Sequence, residues 1–130
     1  MNKQFIRIAA ILGAITVITG AFGAHTLRKI LSPDILNTYE TAVRYQFFHV
    51  LALLITGILF KEFNNNSLRW AGYLFIAGII LFSGSLYLIT YLQTTEIVGY
   101  KGIGILTPIG GLLFIVAWLL LAIGIRSKQI

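Results

Sequence analysis

The amino-acid sequence predicts an all-α integral membrane protein in which four transmembrane helices form an up-down-up-down bundle. Hydrophobic residues make up 58% of the 130 residues and charged residues only 11%, against roughly 45–50% and 25% in soluble domains. The apolar residues also gather in four segments close to the roughly 20 residues that a spanning helix needs. Short connections leave no room for a second domain, so residues 1–130 are predicted to form a single four-helix transmembrane domain. The predicted spans are 5–24, 45–60, 70–92 and 106–125.

The first apolar segment carries small residues on one face, with Gly20 and Ala24 four residues apart and Gly13 two turns earlier. Small residues let helix backbones approach closely, so this face is predicted to contact another helix of the chain; self-association is the alternative. A signal peptide is the rival interpretation, because basic residues precede the apolar run. However, His25 and a basic pair directly follow the small residues, and cleavage would leave three spans. We therefore expect the first helix to be retained.

The second predicted helix begins at Ser32-Pro33-Asp34. Serine can cap a helix, proline is tolerated at the first helical position, and aspartate favours the positive end of the helix dipole. No helix breaker follows before Gly57, so one long helix is predicted to about Phe60. Such a helix is longer than the hydrocarbon core requires. Its first part is predicted to lie at, or project from, the outer membrane interface.

The third and fourth predicted helices have recognisable starts. Trp70 and Tyr73 follow a polar turn and are predicted to anchor the third helix at the membrane interface. Thr107-Pro108 has the pattern of a cap followed by the first helical residue, so the last helix is predicted to start at Pro108. The alternative is an earlier start with a proline kink.

Lysine and arginine residues are distributed unequally between the two predicted sides of the membrane. With four spans, both termini and the middle loop share one side, which holds six basic residues against four on the other. The positive-inside rule then favours both termini in the cytoplasm. Because no basic stripe interleaved with aromatic residues is present, we expect no nucleic-acid partner. The apolar spans predict membrane lipids as partners instead. The six are Lys3, Arg7, Lys61, Arg69, Arg126 and Lys128; the four are Arg28, Lys29, Arg44 and Lys101.

Polar residues within the predicted spans form the candidate site, because a polar group in the bilayer costs free energy unless it is paired. The predicted topology places several of them at similar depth, so we expect them to converge in the outer half of the bundle. Tyr45 is added because it lies one helical turn before His49. The residues are His25, Tyr45, Gln46, His49, Ser83, Tyr87, Tyr91 and Thr107.

Three roles are open to this cluster. Its members can hydrogen-bond between helices as a purely structural contact. A histidine pair can also relay protons near neutral pH, or bind a metal or haem. A metal normally needs a third or fourth ligand, and Glu40, the nearest acid in the sequence, is predicted to lie too far out. We therefore predict no metal and no cofactor.

The sequence offers no catalytic set of residues. It contains no Ser–His–Asp group placed at matching depth, no paired carboxylates within a span and no phosphate-binding loop of the P-loop type. There is also no cysteine, so neither a disulfide nor a thiolate metal site is possible. We expect a protein that is not an enzyme.

Four motifs follow one another along nearly the whole chain: GAFGAH at 20–25, TAVRYQFFH at 41–49, LFSGSLY at 81–87, and LTPIGG at 106–111 followed by Trp118. They resemble those of a family of small bacterial inner-membrane proteins of unknown function, typified by YgdD and YwdK. A mitochondrial transmembrane protein of animals resembles the same group. The resemblance implies a four-span α-helical protein of the bacterial inner membrane with no established activity. Its motif positions add Arg44 and Ser85 to the candidate site.

These observations favour a non-enzymatic accessory or scaffold component that acts through helix and lipid contacts, as a homo-oligomer or in a larger membrane complex. The alternative is a small homo-oligomeric transporter or channel with a polar path along His25, Gln46, His49 and Tyr87. A cofactor-binding or lipid-modifying membrane protein is the third hypothesis. Purified protein that binds no partner would argue against the first, and proton flux insensitive to His49 would argue against the second.

Overall fold

The computed structural model describes residues 1–96 and 100–126, which are helical almost throughout. The described residues contain four helices long and apolar enough to cross a membrane, so the predicted all-helical fold with four candidate spans is confirmed. The direction of each helix across a bilayer stays a prediction. Lys128, which was counted for the orientation, lies outside the described residues, as does the side chain of Lys101. The helices are α1 (Lys3–Ile30), α2 (Pro33–Leu59), α3 (Asn66–Thr94) and α4 (Gly102–Gly124).

Asparagine side chains cap two of the helices. The Asn2 side chain accepts a hydrogen bond from the backbone nitrogen of Phe5 at 3.1 Å, at the start of α1. The Asn65 side chain does the same for Leu68 at 3.0 Å, at the start of α3. Helix α2 begins at Pro33, as predicted, although the hydroxyl of the preceding serine makes no capping bond. Each cap satisfies one of the backbone N–H groups that a helix start leaves unpaired.

The start of α4 differs from the prediction, which placed it at Pro108. A 3₁₀ turn over Tyr100–Ile105 leads without a break into the α-helical part, which begins at Leu106. Thr107 is therefore not a cap, and Pro108 is the third residue of the α-helical part. Proline is accommodated there because an α-helix leaves its first N–H groups unpaired in any case.

Two of the helices contain a wider, π-helical turn. The turn in α1 covers Gly23–Leu27, and the turn in α3 covers Ile79–Ser83. Each turn continues directly into further α-helix, so neither breaks its helix. Such turns are rare in proteins, and those that occur are often located at functional sites. No pattern in the sequence predicted them.

Helices α1 and α2 pack side by side through the small residues of α1. A Cβ atom built at Gly13 would lie 3.7 Å from Val50, and one at Gly20 would lie 3.5 Å from Val43. The predicted contact of this face with another helix of the same chain is thus confirmed. The backbone nitrogen of Asn2 also donates to the carbonyl of Gly57 at 2.8 Å, so the start of α1 meets the end of α2.

Helices α3 and α4 approach each other closely beside the π-helical turn of α3. A Cβ atom built at Gly110 would lie only 2.5 Å from the backbone nitrogen of Phe82. At Gly78, an added Cβ would lie 2.5 Å from the ring of Phe114. Glycine at these two positions lets the helix backbones come closer than any side chain would permit.

The apolar core occupies the end of the bundle where α1 begins and α2 ends. Phe5 is 2% exposed, and its ring contacts those of Phe60 and Tyr73 edge-on at centroid distances of 5.9 and 5.4 Å. Leu53, Leu68 and Phe75 are fully buried in the same core. Except for Thr56, the buried polar side chains lie beyond this core, nearer the middle and the opposite end of the helices.

Candidate functional site

Gln46 is the centre of a buried hydrogen-bond network that joins α1, α2 and α3. Its side chain is 3% exposed. The amide nitrogen donates to the Thr16 hydroxyl at 2.9 Å, and the amide oxygen accepts from the Tyr87 hydroxyl at 2.7 Å. A buried amide in hydrocarbon costs free energy unless both of its ends are paired. Here each end has a partner on a different helix.

The network extends from Gln46 toward the end of α1. The Tyr39 hydroxyl donates to the backbone carbonyl of Thr19, and the Thr19 hydroxyl lies 3.4 Å from that of Tyr87. The rings of Tyr39 and Tyr87 also contact each other, with centroids 5.5 Å apart. The Thr16 hydroxyl donates back to the carbonyl of Leu12 at 2.7 Å. The bonds of Gln46, Tyr39 and Tyr87 run from helix to helix, whereas the Thr16 bond to Leu12 lies within α1.

Three hydroxyl groups beside the π-helical turn of α3 form two further contacts between helices. The Ser83 hydroxyl donates to the backbone carbonyl of Ala42 at 2.7 Å and so joins α3 to α2. The Ser85 and Thr107 hydroxyl oxygens are 2.6 Å apart and join α3 to α4. Ser85 also donates to the carbonyl of Phe82 at 2.9 Å, so Thr107 supplies the proton shared between the two hydroxyls.

His49 lies apart from the Gln46 network, on the side of α2 that faces α4. The Trp118 ring nitrogen donates to Nε2 of His49 at 3.2 Å, and Nδ1 lies 2.6 Å from the carbonyl oxygen of Tyr45. Because Nε2 accepts and a carbonyl can only accept, this pattern assigns the single proton to Nδ1 and makes the ring neutral. The ring also stacks on Phe114, with centroids 3.5 Å apart and planes 8° from parallel.

A groove of about 480 Å³ opens beside His49 on the outer surface of the bundle. We call it the aromatic groove. Tyr45 and Trp118 are 38% and 46% exposed, so part of each ring faces the surroundings of the protein. The groove is lined by Tyr45, His49, Phe82, Pro108, Gly111, Leu112, Phe114, Ile115 and Trp118.

His25 and Arg44 do not join these contacts. His25 is exposed within the π-helical turn of α1, and its ring makes no hydrogen bond to any described residue. Arg44 is also exposed, and it borders a smaller groove of about 260 Å³ together with Glu40. The two histidines are thus separate, and in the part of the chain that the structure describes no three metal-ligating side chains come together. Tyr91, 61% exposed, lies on the surface as well.

The structure adds four residues that the sequence analysis did not select: Thr16, Thr19, Tyr39 and Trp118. The threonines carry a detectable signal, because they stand three residues apart within the otherwise apolar first segment. Trp118 carries one as well, since it lies inside a span rather than at a membrane interface. Tyr39 lies in the first part of α2, which is predicted to lie at or beyond the membrane interface, so the sequence gives no signal of its partner on α1.

Comparison with known proteins identifies the family. The model of a family described as "Protein of unknown function (DUF423)" matches residues 19–111. The chain belongs to this family. The match includes every residue of the predicted site from His25 to Thr107, whereas Thr16 and Trp118 lie outside it.

Individual relatives are named UPF0382 membrane proteins. One from Staphylococcus aureus is 46% identical over 121 residues, which cover 93% of each chain. One from Staphylococcus saprophyticus is 45% identical over 122 residues, covering 94% of this chain and 96% of the relative. YwdK of Bacillus subtilis is 36% identical over 122 residues, covering 93% and 94%. No solved structure matches the chain. The resemblance to YwdK is confirmed, and this DUF423 protein is a membrane protein of a family whose function is unknown.

Proposed function

We propose that this DUF423 protein is a non-enzymatic accessory or scaffold component of the bacterial inner membrane that acts through helix and lipid contacts. The observation that carries the proposal is the pairing of the buried polar side chains. Gln46 has a partner at both ends of its amide, and Ser83 and Ser85 are bonded to neighbouring helices. Polar groups engaged in this way stabilise the arrangement of the helices and are not held free for a substrate.

The outer face of α1 supports a role in helix contacts. Four bulky apolar side chains, Ile11, Ile15, Ile18 and Phe22, are 42–67% exposed. Their spacing of four, three and four residues places them in one stripe along the helix, as in helix pairs that pack through side-chain knobs. Helix α1 packs chiefly on α2 within the chain. The stripe is therefore available for a second copy of the chain or for another membrane subunit.

The alternative of a homo-oligomeric transporter receives less support. The Gln46 network connects helices across the bundle, and His25 lies apart from His49. A path for protons or solutes needs polar groups in succession along the membrane normal. Proteoliposomes in which His49→Ala reduced a specific proton or ion flux would overturn the accessory role in favour of transport.

Site-specific photo-crosslinking tests the accessory role directly. A benzophenone amino acid at Ile18, which is 67% exposed on the stripe, is expected to crosslink in native membranes to one defined protein band. The same group at Ile80, 64% exposed on α3, is the matched control and is expected to give no such band. If neither position crosslinks, and the protein is a monomer in lipid nanodiscs, the proposal fails.

We also propose that both termini lie in the cytoplasm. Because the chain has no cysteine, each introduced thiol is unique. Asn64→Cys lies in the turn between α2 and α3, and Thr95→Cys lies just after α3, both at exposed positions. A membrane-impermeant maleimide is expected to label Thr95→Cys in intact protoplasts and Asn64→Cys only after lysis. The opposite pattern would reverse the orientation.

A further inference from the structure

The aromatic groove has the size and the composition of a binding site for a small molecule dissolved in the membrane. Its volume of about 480 Å³ lies within the roughly 300–1,000 Å³ typical of ligand pockets. Phe114 stacks on His49 at its base, and Phe82 lies 4.6 Å from Tyr45 between ring centroids at its side. Flat walls of this kind favour a flat ring, because aromatic rings gain most from offset-stacked or edge-to-face contact.

The groove also offers a hydrogen-bond donor. Tyr45 is the first residue of the second predicted span (45–60), so it lies at the outer end of that span. Its hydroxyl has no hydrogen-bond partner among the described residues. An unpaired hydroxyl beside a groove lined mainly by apolar side chains costs free energy. A bound molecule with an acceptor oxygen would remove this cost.

The ligand must therefore combine three properties: a planar ring, an oxygen that accepts a hydrogen bond, and an apolar body. No charged side chain among the described residues lines the groove, so an anionic head group finds no counter-charge from them there. A phospholipid acyl chain would fill the space but would leave the Tyr45 hydroxyl unpaired. We propose that the aromatic groove binds a prenylated membrane quinone, with a ring carbonyl accepting from Tyr45 and the prenyl tail lying in the lipid. This is a binding role and goes beyond the accessory function proposed above.

The two tryptophans allow a direct measurement in lipid nanodiscs. Quinones quench tryptophan fluorescence at short range, and Trp70→Phe leaves Trp118, in the groove, as the single tryptophan. Titration with decylubiquinone, or with a short-chain menaquinone, is expected to give saturable quenching in this variant. Trp118→Phe leaves Trp70, which is 59% exposed near the start of α3, and is expected to show only quenching linear in quinone. Linear quenching of Trp118 would overturn the proposal.

Three further substitutions, each in the Trp70→Phe background, separate the groove from general membrane effects. Tyr45→Phe removes only the hydroxyl and is expected to raise the half-saturating quinone concentration about threefold to tenfold, the effect of one hydrogen bond. Gly111→Leu is expected to abolish saturation by filling the groove. An added Cβ there meets only the Phe82 ring, at 3.7 Å, so the backbone can stay in place. Gly84→Leu, where nothing lies within 4 Å of an added Cβ, is the matched control and is expected to bind normally.

Circular dichroism and gel filtration establish that each variant is folded before its quenching is compared. Saturable quenching that Gly111→Leu leaves unchanged would place the quinone elsewhere and overturn the proposal. Phospholipids with brominated acyl chains provide the last arm. If they compete fully with the quinone for Trp118 at equal mole fraction, the groove is an acyl-chain site and the quinone assignment is wrong.

Discussion

Substitution of Gly110 by alanine is expected to separate α3 from α4 beside the π-helical turn of α3. The new Cβ would lie 2.5 Å from the backbone nitrogen of Phe82, 2.8 Å from its Cβ and 2.9 Å from its Cα. Real Cβ atoms essentially never come that close to another heavy atom. Because the obstructing atoms belong to the backbone, or to the side-chain atom fixed to it, no rotamer change relieves the clash. The helices themselves must move apart.

The expected cost follows from two opposing effects. Overpacking of a close contact costs about 1–3 kcal/mol, and moving the helices apart also strains the bond of 2.6 Å between the Ser85 and Thr107 hydroxyls. Alanine regains up to about 1 kcal/mol through its higher helix propensity. We therefore expect Gly110→Ala to lower the free energy of unfolding by about 1–2 kcal/mol.

Gly111→Ala is the matched control, because the two glycines are neighbours in the same helix. Its added Cβ would lie 3.7 Å from the Phe82 ring, an ordinary van der Waals contact. This variant is expected to be neutral or to gain up to about 1 kcal/mol. Unfolding in mixed micelles with increasing sodium dodecyl sulfate, followed by circular dichroism, gives both values. Equal stability of the two variants within about 0.5 kcal/mol would refute the reasoning, since helix propensity cannot distinguish them.

Two further predictions concern hydrogen bonds and use the same unfolding assay. A double-mutant cycle with Gln46→Leu and Tyr87→Phe is expected to give a coupling free energy of about 0.6 kcal/mol and at most about 1.7 kcal/mol, the range for polar contacts within membranes. A coupling of zero would contradict the hydrogen bond of 2.7 Å between the two side chains. Asn65→Ala removes both the cap to Leu68 and the bond of 2.9 Å to the Gly124 carbonyl, and is expected to cost about 1–2 kcal/mol. Asn65→Asp keeps the cap and loses only the donor, so it should cost about half as much; equal losses would argue against a role for the cap.

The fold class was predictable because hydropathy depends on composition and length alone. Four apolar segments of sufficient length indicate four spans, and Pro33 marked the start of α2 correctly. The start of α4 was not predictable in the same way. Thr107-Pro108 has the pattern of a cap, but the Thr107 hydroxyl finds a partner on α3 instead, and tertiary contacts override the local signal.

The candidate site was predictable in its residue types and not in its pairings. Gln46 and Tyr87 were selected as intramembrane polar groups, and they are bonded to each other. His25 and His49 were selected for the same reason and lie apart, because hydropathy does not determine how each helix is rotated. The bond from Trp118 to His49 depends on that rotation too, and so does the aromatic groove.

The π-helical turn at Ile79–Ser83 gives the two halves of α3 different angular phases. A π turn holds one residue more than an α-helical turn, so every later side chain is rotated by about 100° relative to a regular helix. Rewinding the turn as regular α-helix with all of its residues retained would turn Ser85 away from Thr107 and Tyr87 away from Gln46. The partners on the other helices therefore maintain the irregular turn, which lets the same helix present apolar side chains to the core at one end and hydroxyl groups at the other.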